Sequence, residues 1–156
     1  AGAVEDLASF WRTVSRARDD AVVPKLVGAL SEGRLIGLSV GVLLSEAFTM
    51  GIKAGVDAQT LFEAVSGSSG NTASMRSFPN GIFQRNFDPG FQVDLAAKDV
   101  GLATQLGRDL RVPMEMSNIA QQRYIDAQNK GWGRLAAGAV ARVQEERSGV
   151  EIKPNE

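Results

Sequence analysis

Residues 31–57, SEGRLIGLSVGVLLSEAFTMGIKAGVD, constrain the fold more than any other part of the chain, because between Arg34 and Lys53 the only charge is Glu46. A membrane span needs about 20 mostly apolar residues. Leu35–Ile52 comes near that length but holds Glu46, Ser39, Ser45 and Thr49 in its interior, and a mid-span charge costs several kcal/mol. The stretch is therefore expected to be one long helix, Arg34 to Ala54, buried through the middle of a helical domain, and no membrane span. Such a helix would run roughly 30 Å at about 1.5 Å per residue. Gly33, Gly37, Gly41 and Ser45 recur every four residues and share one ridge. Each glycine costs up to ~1 kcal/mol of helix propensity, an expense that close approach of another backbone can offset. That backbone could belong to the same chain or to a helix crossing at a dimer interface; the spacing leaves both open. Glu46, one position off the ridge, needs a partner or water.

Helical spacing continues on either side. Val4, Leu7, Ala8, Trp11 and Val14 lie on one face, and Pro24 suits the first position of a new helix. Gly55 ends the long helix and Asp57 caps the next, whose inner side is Leu61, Phe62 and Val65. SGSSGNTAS (66–74) is a loop, and Pro79, Gly81, Pro89 and Gly90 interrupt the following segment. A helix is expected from about Asp94 to Asp109, another from Pro113, and a last from Leu135 to about Arg147, with SGVEIKPNE as a tail. No stretch alternates with period two long enough to build a sheet, so the expected class is all-α. The divisions are an atypical N-terminal helical segment (1–30), a helical domain (31–152) and a tail (153–156).

Composition then removes several chemistries. The 17 basic and 18 acidic residues are scattered, without the basic stripe that nucleic acid or an anionic membrane would select. The chain has no cysteine and no histidine. Disulfides, thiol catalysis, histidine acid–base chemistry and nearly all zinc sites are thereby excluded, and no metal site is expected. Glu5 and Asp6 stand where a signal peptide would be basic, and a cysteine-free chain suits a reducing compartment, so the expected location is cytoplasmic.

EAFTMGIKAGVD (46–57), SGSSGNTASMRSFPNGIFQRNFDPGFQVDLAAKDVGLATQLG (66–107) and GWGRLAAGAVARVQEERSGVEI (131–152) resemble, in order, the C-terminal helical domain of the β-hydroxyacid dehydrogenases, among them 3-hydroxyisobutyrate dehydrogenase, tartronate semialdehyde reductase and glyoxylate reductase. PGFQVDLAAKDVGLA (89–103) carries the strongest likeness. The resemblance implies a bundle around one long buried central helix, like the C-terminal domain of 6-phosphogluconate dehydrogenase. It implies an oxidoreductase that moves a hydride between NAD or NADP and a short hydroxy acid or semialdehyde. It also implies association of two copies through this domain, hence a homodimer.

The same resemblance assigns residues. Phe91 matches a phenylalanine that walls the substrate pocket, Asp99 its acidic neighbour near substrate, and Lys98 a lysine that approaches the nicotinamide. A lysine near the start of the long helix serves the family as general acid or base. Burial in an apolar pocket would lower its pKa toward neutrality and let it both give and take a proton. Counting back about four turns from Glu46, that position falls on Leu30, and an asparagine that helps hold substrate falls on Arg34. Lys25 in KLVGAL (25–30) is the candidate catalytic lysine, provided extra residues are accommodated before Leu35. No G-x-G-x-x-G follows a strand, and residues 1–30 do not resemble the last strands of a Rossmann domain. The expected function is thus the substrate and oligomerisation domain of such an enzyme, inactive alone and binding NAD(P) only together with a nucleotide domain. The alternative is a non-catalytic homodimeric helical module derived from that family.

Overall fold

The computed structural model describes residues 34–155. Five α-helices carry this part: α1 (Arg34–Lys53), α2 (Ala58–Ser66), α3 (Val93–Asp109), α4 (Glu115–Asn129) and α5 (Ala141–Ser148). Short 3₁₀ segments, Ala73–Ser77 and Ala137–Val140, and a single π-turn, Phe78–Ile82, join them. Among the described residues there is one isolated antiparallel bridge, Gln92 to Ala136, and no longer strand.

The twenty residues of α1 pass the length and hydropathy test for a membrane span, but α1 packs against each of the other four helices. It ends where Gly55 takes a positive φ of 93° and Val56 N–H reaches back to Gly51 C=O, a left-handed stop that glycine adopts without Cβ strain. The Asp57 carboxylate then accepts the Gln59 and Thr60 amides at the start of α2. It also accepts the Asn155 N–H, and these bonds, the Asn155 amide foremost, hold its pKa below the usual aspartate value.

Two cores flank α1. On one side Val42 meets Val93, Ala96 and Val100 of α3, Ala120 and Tyr124 of α4, and Val143 of α5. On the other, Phe48 stacks on Phe78 with ring centroids 4.5 Å apart, and Phe83 meets Phe78 edge-on at 5.8 Å. Ile152 closes this second core and is fully buried. Arg85 anchors that closure by holding Glu145 through 2.6 and 2.8 Å bonds, while Glu145 accepts the Ile152 amide. The stretch expected to be a loose tail is therefore bonded into the domain at Ile152 and again at Asn155.

Burial of α1 is one-sided. Ile36, Leu43 and Met50, seven residues apart, are 63%, 57% and 72% exposed, and Glu46 lies on the same open side, where water meets its charge. The last helix begins later than its apolar spacing predicts. Leu135 lies in a bend and Ala136 in the isolated bridge, strapped to residues 87–93 by Ala136 N–H to Phe87 C=O, Ala137 N–H to Phe91 C=O and Val93 N–H to Leu135 C=O.

Candidate functional site

That strap positions the site. It fixes the backbone of Phe91, and through Val93 and Asp94, whose amides bond Leu135 and Gly133, it satisfies the first N–H groups of α3. Lys98 and Asp99 follow one turn later. Asp99 Oδ2 accepts from Arg34 Nη1 at 2.7 Å, and Lys98 Nζ lies 3.7 Å from Asp99 Oδ1. The Arg34 guanidinium also sits over the Phe91 ring, 5.0 Å from its centroid. The structure thus brings Phe91, Lys98 and Asp99 together around Arg34. Lys25 and Leu30 lie outside the described residues.

Behind Arg34 opens a cavity of about 630 Å³. Its floor is the glycine ridge of α1: Gly37, Gly41 and Ser45. Its walls are Ser74, Arg76, Ser77 and Phe78 on one side, Tyr124 and Phe91 on another, and Ala136–Gly138 with Val140. Among the described residues, the ridge therefore faces a cavity rather than another helix. A methyl group on Gly37 or Gly41 would stand 3.6 Å from Ser74 Oγ or 3.9 Å from the Tyr124 hydroxyl, so the missing side chains leave open volume. The Ser74 hydroxyl donates to Gly37 C=O at 2.9 Å and the Tyr124 hydroxyl to Leu38 C=O at 3.2 Å, closing two sides over α1.

Burial pushes the Tyr124 phenol well above its ordinary value, so it stays a neutral donor at physiological pH. Asp99, 12% exposed, lies between two cations and accepts from the Arg34 guanidinium. Chemically the site is an apolar chamber with guanidinium groups at its edge, suited to a small organic acid. Among the described residues no three histidine, cysteine, aspartate or glutamate side chains assemble as a metal set.

Sequence reasoning treated Arg34 only as a replacement for an asparagine and did not single out Ser74, Arg76 or Ser77. Their signal was weak, since MRS between two turn segments has no periodicity to assign it a face. Ser68, Ser69 and Asn71 of the 66–74 loop do not line this cavity. The Ser68 hydroxyl donates to Val65 C=O and the Asn71 amide to Ser66 C=O, closing the turn after α2. Trp132 is a packing residue, with Arg142 stacked 4.0 Å from its ring centroid.

For a nicotinamide nucleotide the fit is partial. Lys98, 60% exposed beside Asp99, can face the nicotinamide end. The sequence carries no G-x-G-x-x-G turn to cradle a pyrophosphate.

Residues 35–144 match the family model described as "NAD-binding of NADP-dependent 3-hydroxyisobutyrate dehydrogenase". The chain is 34% identical over 110 residues to 2-(hydroxymethyl)glutarate dehydrogenase of Eubacterium barkeri, covering 70% of this chain and 36% of that protein. It is 24% identical over 99 residues to L-threonate dehydrogenase of Haemophilus influenzae, covering 64% and 33%. The chain thus spans about a third of the length of the curated relatives it matches. Among solved structures, the 3-hydroxyisobutyrate dehydrogenase of Salmonella typhimurium superposes with a TM-score of 0.70 at 22% identity, over 76% of this chain and 41% of that one. That of Mycobacterium tuberculosis, solved with L-serine, superposes at 0.64 and 24% identity, over 70% and 40%. These likenesses bear out the helical fold.

Proposed function

Since the chain belongs to the 3-hydroxyisobutyrate dehydrogenase family of NAD(P)-dependent β-hydroxyacid dehydrogenases, we propose that it supplies the substrate wall of a hydride-transfer site, completed by a nucleotide-binding domain. The observation that carries this reading is the cluster of Arg34, Phe91, Lys98 and Asp99 at the mouth of the 630 Å³ cavity. The nicotinamide, when bound, supplies or accepts the hydride at the substrate carbon. The residues of this chain do the rest. Phe91 and the apolar cavity wall keep water from the reacting carbon. Asp99 bonds Arg34 where it sits over Phe91, so that the guanidinium places positive charge beside a bound carboxylate. Lys98 faces the nucleotide. Proton transfer at the substrate oxygen needs a further group, and Lys25 is the one proposed for it. The substrate is a short hydroxy acid or semialdehyde.

Joining the chain to the nucleotide domain of a family relative and following nicotinamide absorbance tests this. Turnover is expected from the joined protein and none from the chain alone. Hydroxy-acid oxidation by the unaided chain would overturn the dependence on another domain.

A second reading, a homodimeric helical module without chemistry, is favoured by the exposed stripe Ile36, Leu43 and Met50, on the face of α1 opposite the cavity. Apolar positions spaced seven residues apart suit a helix–helix seam. Dimerisation fits either reading, and a solution mass that falls to that of the monomer in L43K would locate the seam. Tight nicotinamide nucleotide binding by the chain would exclude the version without chemistry.

A further inference from the structure

The cavity is lined by a second arginine, the exposed Arg76, that the proposed hydride-transfer site does not use. Arg76 stands on the Ala73–Ser77 segment, which is pinned on both sides. Met75, its neighbour, is 2% exposed in the aromatic core, and Ser74 is bonded to Gly37 C=O. The Arg76 side chain reaches the main cavity and also a smaller one, of about 430 Å³, beside Thr72 and Phe62. Arg34 is ion-paired with Asp99. Arg76 has no ion pair among the described residues, and no carboxylate is among the described residues lining either cavity. A cationic group on a rigid mount, facing a mostly apolar chamber with no acid of the protein to answer it, is suited to an acid from outside.

We propose that Arg76 determines specificity by pairing with a second acidic group on the substrate, remote from the reacting carbon. The preferred substrates are then dianions, meaning hydroxy acids or semialdehydes with a further carboxylate or equivalent anion. This rests on the reading of the cavity as a substrate site. Arg34 at the mouth takes one acidic group beside Phe91 and Asp99. Arg76 takes the other, and the apolar wall of Phe78 and Val140 accommodates the carbon chain between them. Arg76 does not touch the reacting atoms, so its effect falls on binding rather than on the chemical step.

The test compares glutarate with butyrate, a diacid and a monoacid of similar length, by calorimetric titration of the full chain at low ionic strength. Glutarate is expected to bind about fivefold more tightly, as a partly exposed charge pair allows. R76Q is expected to bring that ratio to one and R76K to keep most of it, with circular dichroism confirming the fold. Equal affinity for both acids, binding of neither, or a preference untouched by R76Q would overturn the proposal. The joined enzyme separates this inference from the one beneath it. An Arg76-dependent diacid preference without turnover would sink the dehydrogenase reading alone. Turnover in which R76Q leaves the KM for a hydroxy diacid unchanged would sink the role of Arg76 alone.

Discussion

Arg34 on α1 and Asp99 on α3 are joined by a 2.7 Å hydrogen bond across 65 residues of sequence. The pair ties the start of the central helix to the Lys-Asp dipeptide of its neighbour, and it holds Arg34 over Phe91. The Arg34 side chain is 39% exposed, so solvent screening keeps the pair's contribution to stability small. Asp99→Asn should lower the unfolding free energy by no more than about 1 kcal/mol, and added salt should narrow the difference. In the joined enzyme the same change should reduce kcat/KM by about tenfold or more, because the guanidinium loses its orientation. Urea titration and steady-state kinetics on one preparation compare the two effects. A loss of activity no larger than the loss of stability would deny Asp99 a positioning role.

Gly41 separates stability from binding. Its added methyl group would make an unstrained van der Waals contact, 3.9 Å from the Tyr124 hydroxyl. Alanine at a helix-interior position gains up to about 1 kcal/mol over glycine. Gly41→Ala should therefore raise the thermal midpoint while weakening binding of small acids to the cavity. A destabilised Gly41→Ala would show that the ridge is packed rather than open.

Tyr124 is the only tyrosine in the chain, so alkaline difference absorbance reads it without interference. Its folded pKa is raised by burial above the unfolded value of about 10. The stability linked to its neutral form is then present below that unfolded value and lost as pH rises past it. Phenolate absorbance should appear together with loss of helical circular dichroism. Ionisation at an ordinary pH with the helices intact would contradict the buried placement.

Arg85 and Glu145 should behave differently from Arg34 and Asp99. Glu145 is 4% exposed and also holds the Ile152 amide, so removing its cation strands a buried carboxylate. Arg85→Met should cost about 3 kcal/mol and free the residues after α5 for proteolysis. Chemical denaturation and limited digestion would check both, and a cost under about 1 kcal/mol would place Glu145 in water instead.

Much of the fold was legible because helix signals are local. The apolar spacing of α1 and α3, the left-handed stop at Gly55 and the cap at Asp57 each depend on residues within a turn or two of one another, and each stands in the structure where the sequence places it. Where the expectation failed, the deciding partner was distant. Leu135 and Ala136 have helical neighbours on one side but are held out of the helix by the backbone of residues 87–93. Ile152 reads as tail until the Arg85–Glu145 pair is seen to bond its amide.

The site divides in the same way. The sequence by itself determined that a helix begins just after Phe91 and carries Lys98 and Asp99, and that a ridge of small residues runs along another, because both are matters of spacing within a segment. Only the tertiary structure decided that Arg34 faces Asp99, that the glycine ridge floors a cavity, and that Arg76 opens onto it. Those relationships depend on how α1, α3 and the 73–77 segment pack across one another, and helical periodicity within a single segment has no information about which face meets which.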